Sequence, residues 1–193
     1  MMHRRWIVVL LLVTPGLALA HPGYGHGGFV AGVSHPLLGL DHLLAMLGVG
    51  FWAARHGSLH GAIGVCAAFV AAVLGGFALG LGQSPVPAVE FGIMASLLVT
   101  GVLVFGARRL PLTVIAGLAG IFALIHGHAH GAEMAAGLSA VAFMGGFALT
   151  TGVLLAAGAG LAYLGARGSA LRPVERGTGT VLVAAGTYML VVV

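Results

Sequence analysis

Charge is the scarcest thing in this chain. Lysine is absent, and eight arginines and four carboxylates are all that 193 residues carry. A soluble domain of this composition would have almost nothing polar to show to water, which excludes that class. Cysteine occurs once, at Cys66. A lone cysteine rules out an intramolecular disulfide framework, and in its apolar run it reads as a small buried hydrophobe. The pI of about 10.2 comes from arginines scattered singly or in pairs, so no phosphate-binding patch forms and no nucleic-acid partner is expected. A GxxxxGK[ST] motif is also missing, so this chain is not expected to hydrolyse ATP itself.

What is present is apolar and small. Hydrophobic residues make up 60% of the chain, 34 residues are glycine, and the mean hydropathy is +1.12. Small residues let apolar helices approach closely where lipid supplies no hydrophobic drive. Gly76 with Gly80, and Gly127 with Gly131, stand at GxxxG spacing. In a chain this rich in glycine that spacing also arises by chance, and it carries little weight here.

Residues 1–20 read as a secretory signal peptide. Arg4 and Arg5 form a basic start, Trp6 to Val13 an apolar core, Pro15 and Gly16 a breaker, and Ala18-Leu19-Ala20 a small-x-small end. The core is short for a span, so cleavage after Ala20 is expected. That would expose His21 at a new N-terminus, where its amine and imidazole can chelate a metal together. With His26 in the segment HPGYGHGG, it is either a metal-capture arm or a plain external tail.

Residues 21–193 read as one all-α domain of six transmembrane helices. The spans fall at about Pro36 to Ala54, His60 to Leu81, Val86 to Gly106, Pro111 to Ala129, Glu133 to Leu164 and Thr178 to Val193. Pro36 suits the first turn of the first span. The fifth is longer than one straight crossing needs, so it is tilted or its first turns stand outside the hydrocarbon. Arg55, Arg108, Arg109, Arg167, Arg172 and Arg176 all fall in the loops after spans one, three and five. Those loops face the cytoplasm by the positive-inside rule, which puts both chain ends outside.

Two polar knots interrupt the apolar background. The first is SHPLLGLDHLLAM, with His35, Asp41 and His42 inside eight residues. Seven residues of regular helix put His35 and His42 on one face but about 10 Å apart along the axis, too far to share an ion. Asp41 and His42 point about 100° apart. A shared ion therefore needs another helix or a local distortion, for which Gly39 is the natural place. Met46, one turn below His42, is a thioether candidate and more often simply core. The second knot is IHGHAHGAE. His126, His130 and Glu133 fall on one stripe of a continuous helix, a spacing suited to a metal. His128 points to the other side, as an outer partner or a water-facing group. Glu90 is a further acidic group near the outer side. Glu175, in the arginine-rich loop, reads as an ion-pair partner there.

A single intramembrane histidine can be a satisfied hydrogen-bonder that holds helices together. Two clusters of the same chemistry on the same side argue for metal or proton handling instead. Imidazole and carboxylate without thiolate select a borderline divalent ion such as Ni²⁺, Co²⁺ or Zn²⁺ over Cu(I).

His35-Pro36-Leu37-Leu38-Gly39-Leu40-Asp41-His42 resembles the HPxxGxDH signature of the HupE/UreJ family. His126-Gly127-His128-Ala129-His130-Gly131-Ala132-Glu133 is similar to that family's second motif, HGxAHGxE. The resemblance extends over the whole mature chain. It implies a multi-pass protein of the bacterial inner membrane with periplasmic termini, importing nickel or cobalt as a secondary transporter. It also implies that His35, Asp41, His42, His126, His130 and Glu133 carry the ion. A functional link to the nickel enzymes hydrogenase or urease follows from the same resemblance. No prosthetic group is expected, and a homo-oligomer is left open.

The readings from other classes are an intramembrane zinc hydrolase and a haem carrier. The first needs three protein ligands, an open position and a general base. The second would use His42 and His56, but His56 lies beside Arg55 at the expected inner end and no other helix repeats the spacing.

Overall fold

The computed structural model describes residues 27–55, 58–82, 87–106, 110–134, 137–167 and 171–192. Seven helices and no strands make up the described residues: α1 (Gly27–Leu38), α2 (Leu40–Ala54), α3 (Leu59–Gly80), α4 (Pro87–Phe105), α5 (Leu112–Ala132), α6 (Ala140–Ala166) and α7 (Leu171–Val192). The protein is an all-α membrane protein. Helices α3, α5 and α6 are each long and apolar enough to cross a bilayer, and α1 with α2 makes a fourth crossing if the bent pair is one span. Residues 1–20, His21 and His26 lie outside the described residues.

The first expected span is corrected at its start. Helix already begins at Gly27, and Pro36 sits inside α1 near its end, not in the first turn of the following helix. The chain then breaks at Gly39 and turns by 78° into α2. Pro36 has no N–H to offer the carbonyl four residues back, so the last turn of α1 is already weakened. Thr150 of α6 ties this region down by donating to the Val33 carbonyl at 2.9 Å.

Two further boundaries differ. The fifth span starts at Ala140, capped by the Ser139 hydroxyl, which accepts from Ala142 N. Glu133 does not open that span. It caps the C-terminus of α5, and its N–H bonds to Ala129 O. Helix α7 begins at Leu171, seven residues before the expected start, and takes Arg172, Glu175 and Arg176 out of the supposed loop.

Backbone contact holds the helices together. The pair α3 and α5 is the most extensive, and its seam is made of the two GxxxG pairs facing each other. An added Cβ at Gly76 would meet Leu124 O, at Gly80 His128 O, at Gly127 Val73 O and at Gly131 Phe77 O. Such contact between backbones substitutes for the hydrophobic drive that lipid removes. The spacing discounted in the sequence is thus the main seam of the fold. Gly32 and Gly146 play the same part between α1 and α6, as do Gly50 and Gly158 between α2 and α6.

Charge gathers at one end. Arg55 at the C-terminus of α2 pairs through Nε with Oε1 of buried Glu175 on α7. Arg167, the C-cap of α6, stacks over the Tyr163 ring and donates to its hydroxyl. Glu175 is the ion-pair partner expected of it, although on a helix and buried.

Candidate metal centre

The opposite end of the bundle holds the histidines. α1 ends with His35, α2 begins with Asp41 and His42, and α5 brings His126 and His130 in its last turns. The 78° break at Gly39 is the distortion that lets His35 and His42 meet. Their ring centroids lie 5.3 Å apart, and those of His35 and His130 lie 4.4 Å apart. His42 and His130 are separated by 4.5 Å between centroids, with Nε2 facing Nε2 at 2.5 Å. His35, His42 and His130 each offer a ring nitrogen, and all three atoms lie within 4.8 Å of one another.

Glycine at position 39 is needed for space. Its backbone is ordinary, with φ −87° and ψ 112°. A methyl there would come within 2.6 Å of His42 Nδ1 and 2.9 Å of Asp41 Oδ1. Those two atoms make their own bond: His42 Nδ1 donates to Asp41 Oδ1 at 2.8 Å. The proton is thereby held on Nδ1, and the Nε2 lone pair is turned toward His130. Carboxylate, imidazole and ion in series is the usual way a protein fixes the tautomer of a ligating histidine.

Two nitrogens at 2.5 Å require a proton or a cation between them. Tetrahedral coordination at metal–nitrogen distances of about 2.0–2.1 Å spaces its donors about 3.4 Å apart. The three ring nitrogens, within 4.8 Å of one another, are thus close to the spacing that donors to a shared ion need.

His126 stands slightly apart. Its ring is 5.5 Å from that of His42, and its nitrogen is outside the three-atom group. Nδ1 donates to Phe122 O at 2.9 Å, while Nε2 is buried without a hydrogen-bond partner. His128 is half-buried, with its backbone against Gly76 and Gly80 of α3. Met46 is fully buried in the main hydrophobic core. Glu133 is exposed at the end of α5 and is not gathered with the three imidazoles. Glu90 lies in α4, with its side chain outside the described residues.

Sequence reasoning missed the wall of the site. Phe147 of α6 lies 5.0 Å from the His130 ring and 6.1 Å from that of His35, and Phe143 lies 5.9 Å from His35. Phe77 of α3 stacks on Phe143 at 5.6 Å. The available signal was a pair of phenylalanines four residues apart, at the same end of a span as the histidines. Their rings shield the imidazoles from water, which strengthens every electrostatic interaction inside.

The model of the family described as HupE / UreJ protein matches residues 9–189. The chain belongs to the HupE/UreJ family. It is 40% identical over 180 residues to Protein HupE of Rhizobium leguminosarum bv. viciae, covering 93% of each chain. No solved structure matches it. Family membership thus agrees with the resemblance carried by the two histidine motifs, and the structure brings those motifs together around His42.

Proposed function

We propose that this chain carries a divalent transition-metal ion, nickel or cobalt, inward across a bacterial inner membrane, without hydrolysing ATP itself. The reading rests on one observation: three imidazole nitrogens from α1, α2 and α5 within 4.8 Å of one another, at a helix break inside an apolar bundle. An intramembrane ionisable cluster is costly unless it has work to do. Imidazoles suit a borderline divalent ion, and the family resemblance names nickel or cobalt. In this reading six spans cross the membrane after a cleaved signal peptide, with both termini periplasmic. The described arginines, Arg55, Arg167, Arg172 and Arg176, belong to the inner end by the positive-inside rule.

Three imidazoles replace part of the hydration shell, and Asp41 offsets charge through His42. In this reading Glu133, exposed at the end of α5, meets the arriving cation, and Glu90 is a second acidic candidate. His21 and His26 extend the collecting surface. Release inward follows protonation of the imidazoles or a change of conformation.

A zinc hydrolase would use the same three ligands, but it also needs a general base beside the open position. Asp41 is already committed to His42 Nδ1, which favours transport. The test is uptake of radioactive nickel and cobalt by cells expressing the chain, beside His42→Ala at matched membrane abundance, with zinc as competitor. Uptake that His42→Ala abolishes is expected. No uptake of either ion, with zinc retained by the purified protein, would overturn the reading in favour of the enzyme.

A further inference from the structure

The two motifs hold two more imidazoles than the three-histidine group uses, His126 and His128, and of these His126 has the ring contact to the cluster. His126 lies one helical turn before His130 on α5, which moves it about 6 Å toward the arginine end. It is 1% exposed. Its Nδ1 proton is fixed on Phe122 O, which leaves the Nε2 lone pair buried and unpartnered. An acceptor buried in this state is costly, and the bond to Phe122 O does not require a ring. Among the described residues, His42 is the one with ring contacts to both sides, 4.5 Å to His130 and 5.5 Å to His126.

We propose that the cluster is two stations in series, an outer one at His35, His42 and His130 and an inner one at His126, with His42 common to both. The inference rests on the transport reading above and adds the direction and order of movement. The ion exchanges ligands without leaving His42: its bond to His130 is replaced by a bond to His126 Nε2, and water moving with the ion takes the position that His35 gives up. No electron is transferred. Keeping one imidazole bound avoids leaving a bare ion in the apolar interior.

The test compares His126→Asn with His130→Asn in purified protein and in proteoliposomes. Asparagine at 126 retains a donor for Phe122 O and deletes the Nε2 lone pair. Equilibrium binding of Ni²⁺ to His126→Asn should stay within about threefold of the parent while uptake falls at least about tenfold; His130→Asn should lose binding itself by about tenfold or more. Parental uptake by His126→Asn would overturn the proposal. Loss of binding as complete as in His130→Asn would also overturn it, by showing a single site. A second arm does not depend on uptake. His126→Cys in a Cys66→Ala background should give a thiolate-to-cobalt charge-transfer absorption when Co²⁺ is added, and its absence would count against an inner station. If the parent protein takes up neither ion while that absorption appears, the transport reading fails and the second site survives.

Discussion

His42 faces His130 through Nε2 atoms 2.5 Å apart, while its other nitrogen donates to Asp41 at 2.8 Å. Asp41 therefore sets which lone pair His42 presents. Asp41→Ala removes the acceptor, and the His42 ring becomes free to flip its proton to Nε2, the nitrogen that must be bare to bind. Loss of such an orienting partner weakens metal affinity by about 10–100-fold. Asp41→Asn keeps an acceptor oxygen but loses the charge, so it should fall between. Isothermal titration of Ni²⁺ into the three purified proteins checks the order parent, Asn, Ala. Equal affinities would mean that Asp41 does not act through His42.

Gly39→Ala should separate space from flexibility. The backbone there is one that alanine adopts freely, so a purely conformational role predicts no effect. The new methyl would instead press on His42 Nδ1 and Asp41 Oδ1 and part them. Binding should weaken about as much as in Asp41→Ala, with a change in thermal stability under about 1.5 kcal/mol, because the displaced atoms are side-chain ends. Titration and thermal unfolding of the same sample check both halves.

These two residues also show how far the sequence could be read. That His35 and His42 cannot share an ion on a regular helix follows from helical pitch alone, and Gly39 is visible as the place to break it. The 78° angle is not visible, because it depends on α6 holding α1 by backbone contact at Gly32 and Gly146. Periodicity placed His126, His130 and Glu133 on one stripe. It missed that α5 ends at Glu133, and that packing divides His130 from His126. The phenylalanine wall was unreadable for a similar reason: Phe77, Phe143 and Phe147 look like any apolar residues until α3 and α6 are assembled around the site. Composition placed the apolar helices α3, α5 and α6, and the reading failed at the start of α7, where Arg172, Glu175 and Arg176 make a helical start look like a loop.

The glycine seam between α3 and α5 makes a stability prediction remote from the chemistry. A side chain at Gly127 would strike the Val73 carbonyl, and backbone cannot rotate away as a side-chain end can. Gly127→Val should destabilise by at least about 1–3 kcal/mol, the usual cost of overpacking. Because His126 and His130 ride on α5, the same change should lower binding. Gly117→Ala, on the same helix with open space around it, is the control and should leave both unchanged. Thermal unfolding in one detergent compares them. Equal stability of the two variants would refute the seam.

The pair of Arg55 and Glu175 gives the prediction with the clearest sign. Arg55 lies thirteen residues after His42, at the other end of α2 and about 20 Å away along the helix, so its changes reach the metal centre only through helix packing. Glu175 is nearly fully buried and Arg55 keeps some solvent access. Removing one partner strands a buried charge, which costs about 3–5 kcal/mol, and the residual access of Arg55 puts Glu175→Gln toward the lower end. Arg55→Met should cost more than Glu175→Gln, since it leaves the more deeply buried group unpaired. The double variant Arg55→Met with Glu175→Gln removes both charges at nearly unchanged volume, so it should recover most of the loss. Thermal unfolding of the four proteins closes the cycle. A double variant as unstable as the sum of the single ones would show that the two side chains do not act as a pair.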